Sequence, residues 1–230
     1  MTKAAPILAL STFVLQRGLV IPSRSRYSLL IFLALLFSAA GDVFLQLKTL
    51  GYFLPGMASF AISQLLYILA FGLRPVDWVI GGPMLLAGFC YYLFLLPKVF
   101  HDKVFTVALL VYQLLICGML WRAVTRYRVE KARSAKSKNG SRAENTEREK
   151  RLFWLLIGVC GAVSFVISDG CLAWELFVGR LEHETLIIMG TYYLAQLLIS
   201  LSILHEPVGK KATKNPEKKS FTQKDNNKIN

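Results

Sequence analysis

A chain of 230 residues with a formal net charge of +13 is long enough for one sizeable domain and basic enough to suggest nucleic acid as a partner. Its hydrophobic fraction of 54% decides little by itself, since soluble domains are also about half apolar. The arrangement of those residues excludes more, because charges are almost absent from long stretches and crowded into short ones.

Runs of about 20 residues nearly free of charge can cross ~30 Å of hydrocarbon as helices. They lack the alternation of a barrel strand, and only helices or closed barrels satisfy their backbone in lipid. The predicted class is an all-α integral membrane protein, a bundle of about seven transmembrane helices. In chain order the spans fall near residues 4–20, 28–47, 53–71, 76–96, 104–121, 152–174 and 186–204. The first is short and carries Arg17 near its end; no small-x-small cleavage site follows it, so it reads as a retained helix rather than a signal peptide. Residues 1–204 thus form a transmembrane domain containing a basic loop, 122–151, and residues 205–230 form a basic tail. Loop and tail, rich in Lys, Asn, Ser and Glu, read as disordered.

Of the 27 Lys and Arg residues, all but Lys3, Lys48, Lys98, Lys103 and Arg180 lie on one side of this topology. The positive-inside rule puts that side, with the 122–151 loop and the tail, in the cytosol and the N-terminus opposite. The charge is therefore assigned to topology and to anionic headgroups of the lipid bilayer, and no nucleic-acid partner is expected. The sequon Asn139-Gly140-Ser141 is then cytosolic and unglycosylated. Cys90, Cys117, Cys160 and Cys171 lie inside spans, and His101, His183 and His205 lie in loops or at a span end. None has metal-ligand spacing, so neither a metal nor a cofactor is expected.

An ionisable residue inside a span is costly and marks a candidate site. Asp42 follows Ser38-Ala39-Ala40-Gly41 late in the second span, and Asp169 follows Ser168 late in the sixth. Each lies about 8 Å below the far-side surface at the helical rise. The two can meet if spans 2 and 6 are neighbours, and two carboxylates in a low-dielectric site share one proton, giving an acid and a base. Gln64 and Gln196 sit near mid-span, and Tyr192 and Tyr193 lie near the aspartate level. Read alone, the glutamines are interhelical hydrogen-bond groups and the tyrosines are as readily interface anchors. The order small-residue–Asp, then Gln-Leu-Leu, occurs in both halves, as in a parallel duplication.

The strings Leu36-Phe37-Ser38-Ala39-Ala40-Gly41-Asp42, Gly51-Tyr52-Phe53, Tyr67-Ile68-Leu69-Ala70-Phe71-Gly72, Ile167-Ser168-Asp169 and Met189-Gly190-Thr191-Tyr192-Tyr193-Leu194-Ala195-Gln196 resemble the lysoplasmalogenase (YhhN / transmembrane protein 86) family in order and spacing. The resemblance implies an eight-helix membrane hydrolase, of the endoplasmic reticulum in animals. Such enzymes cleave the vinyl-ether bond of lysoplasmalogens to a fatty aldehyde and glycerophosphoethanolamine or glycerophosphocholine. It implies a lysophospholipid substrate; the residues themselves suggest Asp42 and Asp169 as the catalytic pair, with Gln64, Tyr192, Tyr193 and Gln196 as substrate contacts. Thr2-Lys3-Ala4-Ala5-Pro6 resembles the start of the family's second helix, which offers Lys3 to the substrate phosphate and leaves the family's first helix without a counterpart. Many members carry His where this chain has Gln64, and Gln cannot shuttle a proton at neutral pH. The alternative is a non-catalytic lipid-binding or lipid-transport protein on the same scaffold. A seven-helix receptor finds no support, since span 3 has no Asp-Arg-Tyr-like end and span 7 no Asn-Pro-x-x-Tyr-like string.

Overall fold

A computed structural model describes residues 4–19, 26–136 and 141–205. Seven α-helices run through them: α1 (Ala5–Leu19), α2 (Arg26–Gln46), α3 (Phe53–Phe71), α4 (Trp78–Val99), α5 (Lys103–Lys136), α6 (Arg142–Phe177) and α7 (Glu184–Leu201). Short 3-10 turns follow α2 at Lys48–Leu50 and α7 at Ser202–His205. Six helices, α2 to α7, are long and apolar enough to cross a membrane, so the chain is a multi-pass membrane protein. All seven expected helices form, but α1 has 15 residues and a rise of only about 22 Å, short of the hydrocarbon thickness.

The bundle faces outward with apolar side chains. Leu29, Phe37, Ile62, Val79, Leu86, Phe94 and Leu194 are all exposed, as lipid-facing residues must be when no water surrounds them. Inside, α1, α2, α3, α5, α6 and α7 follow one another as neighbours, and α1 closes the circle on α7. Helix α4 stands outside this circle, on α5 and lightly on α6. Two glycines let it approach: a Cβ on Gly81 would lie 2.2 Å from Trp121, and one on Gly88 2.3 Å from Cys117 Sγ. The Trp121 indole also donates to the Asp77 carbonyl at 2.9 Å, which ties the start of α4 to α5.

The most extensive packing joins α2 to α3 and α6 to α7. Both seams use small residues, which is how helices gain contact where lipid competes equally for apolar surface. On the second seam, Ser164 Oγ donates to the Thr191 carbonyl and Ser168 Oγ to that of Ile188, each at 2.8 Å. Gly161 sits against the α7 backbone, where an added Cβ would be 2.9 Å from Ile199 N and 3.0 Å from the Ala195 carbonyl.

Two arginines in the second half of α5 are structural. The last carbonyls of a helix have no partners within it, and cations suit that end of the dipole. Arg126 donates to the Ala70 carbonyl at 2.7 Å, and Arg122 donates to the carbonyls of Gly72 and Pro75. Arg126 also lies 4.4 Å over the Tyr27 ring and pairs with His205 Nε2 at 2.7 Å, which fastens α2 and the end of α7 to the same point.

The reading of 122–151 as a disordered loop is overturned. Helix α5 continues to Lys136 and α6 begins at Arg142, so only a short connection separates them. Low hydrophobicity and high charge signal disorder in a free segment, but these residues extend helices already nucleated in the bundle, and Arg, Lys, Glu and Ala propagate a helix well. Ser141 caps α6 by accepting from Glu144 N, while Glu144 accepts from Ser141 N. Glu130 meets Arg151 at 3.3 Å and Arg133 at 3.6 Å, joining the two extensions. Lys3, Asn139 and the tail beyond His205 lie outside the described residues.

Because the α7 backbone cannot recede, Gly161→Ala is expected to cost about 1–3 kcal/mol as overpacking. Gly190→Ala, with nothing within 4 Å of the new Cβ, should be neutral or mildly stabilising. Thermal unfolding of both variants in one detergent separates the two outcomes.

Candidate active site

A continuous chain of hydrogen bonds crosses the bundle interior. Tyr67 OH donates to Gln196 Oε1 at 2.6 Å, and Gln196 Nε2 donates to Ser38 Oγ at 3.0 Å. Ser38 and Ser63 share a bond of 2.8 Å, and Ser63 Oγ donates to the Ala34 carbonyl at 2.9 Å. All four side chains are fully buried. With Gln196 and Ser63 donating as stated, the Ser38 proton points to Ser63, and every bond is aligned in one direction. The chain ties α2, α3 and α7 together at one level.

Asp42 stands one turn beyond Ser38 on α2 and is also buried. It accepts from Tyr192 OH of α7 at 2.9 Å. The Tyr192 ring meets Phe165 edge-on, with centroids 5.7 Å apart, and Phe60 at 6.0 Å. Tyr193 packs on Tyr192 at 5.5 Å and also comes near Asp42. Asp169 stands one turn beyond Phe165 on α6, half-buried, and accepts from Tyr112 OH of α5. Beside it, the Gly170 carbonyl accepts from Tyr91 OH of α4 at 2.8 Å. Gln64, next to Ser63, is fully buried beside Tyr112, and neither its amide nitrogen nor its oxygen has a hydrogen-bond partner.

The condition under which the two aspartates would meet, that spans 2 and 6 be neighbours, is not met by a main packing contact. The main partners of α2 are α3 and α1, those of α6 are α7 and α5, and α2 and α6 do not form a main packing pair. Short connections fold each helix back on its successor, so the small residues beside each aspartate serve those hairpin seams first. Nor do the aspartates sit equally far from their helix ends: Asp42 is one turn before Gln46, and Asp169 two turns before Phe177. Each carboxyl is instead met by a phenol from a third helix. The pairs are linked through Phe165, which precedes Asp169 by a turn and touches the rings of both Tyr67 and Tyr192. Among the described residues, no group of three or more His, Cys, Asp or Glu side chains could hold a metal ion.

A family model described as the YhhN family matches residues 1–203. The chain belongs to this family. It is 37% identical over 213 residues to a bovine (Bos taurus) protein named lysoplasmalogenase TMEM86A, covering 90% of this chain and 79% of the relative. Against the human lysoplasmalogenase TMEM86B it is 36% identical over 210 residues, covering 91% of this chain and 77% of the relative. A rat (Rattus norvegicus) lysoplasmalogenase TMEM86B is 37% identical over 207 residues, covering 90% and 73%. No solved structure matches the chain.

The interior thus sets the Asp42–Tyr192 pair one turn from the Gln196 network, with Tyr193 at its edge, and places Asp169 and Gln64 beside the same Tyr112. Sequence reasoning missed Tyr112, Tyr67 and Tyr91 and treated Ser38 only as a small residue. A mid-span tyrosine adjoining Gln113 was a usable signal for Tyr112. It was obscured because tyrosines in membrane proteins are so often interface anchors.

Tyr67→Phe strands Gln196 Oε1 in the dry interior and should lower stability by about 1–3 kcal/mol. Tyr91→Phe removes a half-buried bond at the periphery and should cost about 1 kcal/mol or less. Melting curves of the two variants in the same micelles test the ordering; equal losses would mean that the interior chain of bonds contributes nothing special.

Proposed function

We propose that this protein hydrolyses the vinyl-ether bond of alkenyl lysophospholipids, with Asp42 and Asp169 supplying the acid and the base. The reading rests on one observation above others: two aspartates inside an apolar bundle, each bound by a tyrosine from another helix. The names of the relatives supply the substrate class. Carboxyl groups in such a setting are expensive to keep, and ether hydrolysis gives them a use.

One aspartate, protonated, delivers its proton to the vinyl-ether carbon remote from oxygen. The resulting oxocarbenium-like cation is stabilised by the other, ionised aspartate. Water adds to the cationic carbon while that carboxylate takes its proton. The hemiacetal so formed collapses to the fatty aldehyde and the glycerol hydroxyl, and the proton count closes. The logic is that of the paired carboxylates of glycosidases. Tyr112 and Tyr192 hold the carboxyl groups in place. Tyr193, Gln64 and Gln196 line the substrate's path, and Lys3 meets its phosphate. The membrane is that of the endoplasmic reticulum, with the α5–α6 extensions and the C-terminus in the cytosol.

Purified wild type in detergent should release aldehyde from 1-alkenyl lysophosphatidylethanolamine and its choline analogue. Asp42→Asn and Asp169→Asn should each lose on the order of 10²-fold or more in kcat while remaining folded. The wild-type pH–rate profile should have two limbs, falling in acid as the base protonates and in alkali as the acid ionises. A wild type that binds the lipid without turnover would make the protein a lipid carrier rather than a hydrolase.

The orientation has its own check. A small tag inserted at Gly140 should be reached by antibody once the plasma membrane alone is permeabilised. Glycosylation at Asn139 would invert the topology.

A further inference from the structure

Two glutamines occupy comparable places in the two hairpins, and they are treated differently. Gln196 is fully buried with both ends of its amide bonded. Gln64 is equally buried, yet its Nε2 and Oε1 have no partner. An amide closed off from water without partners is among the costlier things a core can contain, and it has an explanation when a ligand brings the missing groups. The position supports a ligand rather than a defect, because Gln64 stands beside Tyr112, the residue that holds Asp169.

The demand is specific. Nε2 can be met by any oxygen acceptor, but Oε1 needs a donor. Close to the vinyl ether, an alkenyl lysophospholipid carries one O–H donor, the free hydroxyl on the middle carbon of its glycerol. The phosphoester oxygens next to it are acceptors. A second acyl chain on that carbon would replace the donor with an ester and leave Oε1 bare.

Resting on the hydrolase reading above, we propose that Gln64 recognises the free glycerol hydroxyl, accepting from it through Oε1 and donating to an adjoining phosphoester oxygen through Nε2. Gln64 thereby makes the site select single-chain over two-chain ether lipids. It is a specificity residue and carries no proton in the reaction.

The test compares the natural 1-alkenyl-2-hydroxy lipid with its 2-deoxy analogue, in turnover. It also compares the uncleavable 1-alkyl-2-hydroxy and 1-alkyl-2-deoxy lipids in equilibrium binding to the whole purified protein. Wild type should prefer the hydroxy member of each pair by about 10²-fold or more. Gln64→Leu and Gln64→Met should bring the hydroxy-to-deoxy ratio close to one in equilibrium binding, and in whatever turnover each variant retains. Both variants remove the orphaned polar atoms, so in lipid-free micelles they should melt at or above the wild-type temperature, which shows that a lost preference is not a lost fold. If binding prefers the hydroxyl through Gln64 but nothing is cleaved, the recognition stands and the hydrolase reading falls. If cleavage occurs and the ratios survive Gln64→Leu, or wild type has no preference, the recognition falls and the hydrolase reading stands. Binding of neither alkyl lipid overturns the inference, and a water molecule on Gln64 then accounts for the amide.

Discussion

Gln196 is the point on which the interior of this bundle depends. In hydrocarbon a polar side chain has no water to fall back on, so each donor and acceptor must be met from within. Gln196 meets both of its own obligations by reaching two different helices, accepting from Tyr67 of α3 and donating to Ser38 of α2. Ser38 then passes the bond to Ser63, and Ser63 to a backbone carbonyl. The consequence is a fixed register of α2, α3 and α7. That register sets Asp42 one turn above the network and brings Tyr192 of the same α7 within hydrogen-bond distance of it. Apolar packing alone would allow these helices to slide, since lipid tails compete equally for their surfaces; the hydrogen-bond chain has few alternative settings.

The second aspartate is held by another device. Asp169 lies on α6, whose attachment to α7 runs through Gly161, packed on the α7 backbone, and through Ser164 and Ser168, bonded to its carbonyls. Its phenol comes from α5, on the other side of α6. The two acidic positions are therefore fixed by different seams and joined mainly by aromatic contact through Phe165. A ring can tilt without breaking a hydrogen bond, so this link is the more compliant one. In the proposed reaction, that compliance leaves the distance between the two carboxyl groups open to adjustment around a substrate, whereas each carboxyl remains held by its own tyrosine.

How much of this could be read from residues alone follows from what each signal measures. Hydropathy runs mark apolar length, and so the helices were legible, as were Asp42 and Asp169, charges standing where charges are rare. Hydropathy says nothing about helix that continues into water, which is why α5 and α6 extend well past their apolar runs as a capped, ion-paired hairpin. Nor does it reveal order around the bundle. That α4 lies outside and that α2 and α6 do not form a main packing pair depends on which glycines admit which side chains, such as Gly81 against Trp121. The tyrosines were illegible for a further reason: Tyr112 and Tyr91 have the composition of membrane anchors, and only a partner 57 or 79 residues away in the chain shows otherwise. The strongly basic charge was similarly ambiguous. Arg122 and Arg126 spend it on the carbonyl end of α3, not on a binding surface.

The identity of residue 64 bears on where protons can travel. A histidine there could accept and release a proton at neutral pH; an amide cannot, whatever its position. In the proposed reaction the acid–base chemistry passes through the carboxyl groups, with the phenols as donors that hold them. Nothing in the architecture opposes that division. Gln64 is placed deep beside the Tyr112–Asp169 pair, where the proposed reading has it grip the substrate. In the proposed reaction the amide holds the substrate and the aspartate pair transfers protons, and a histidine in place of Gln64 would combine the two.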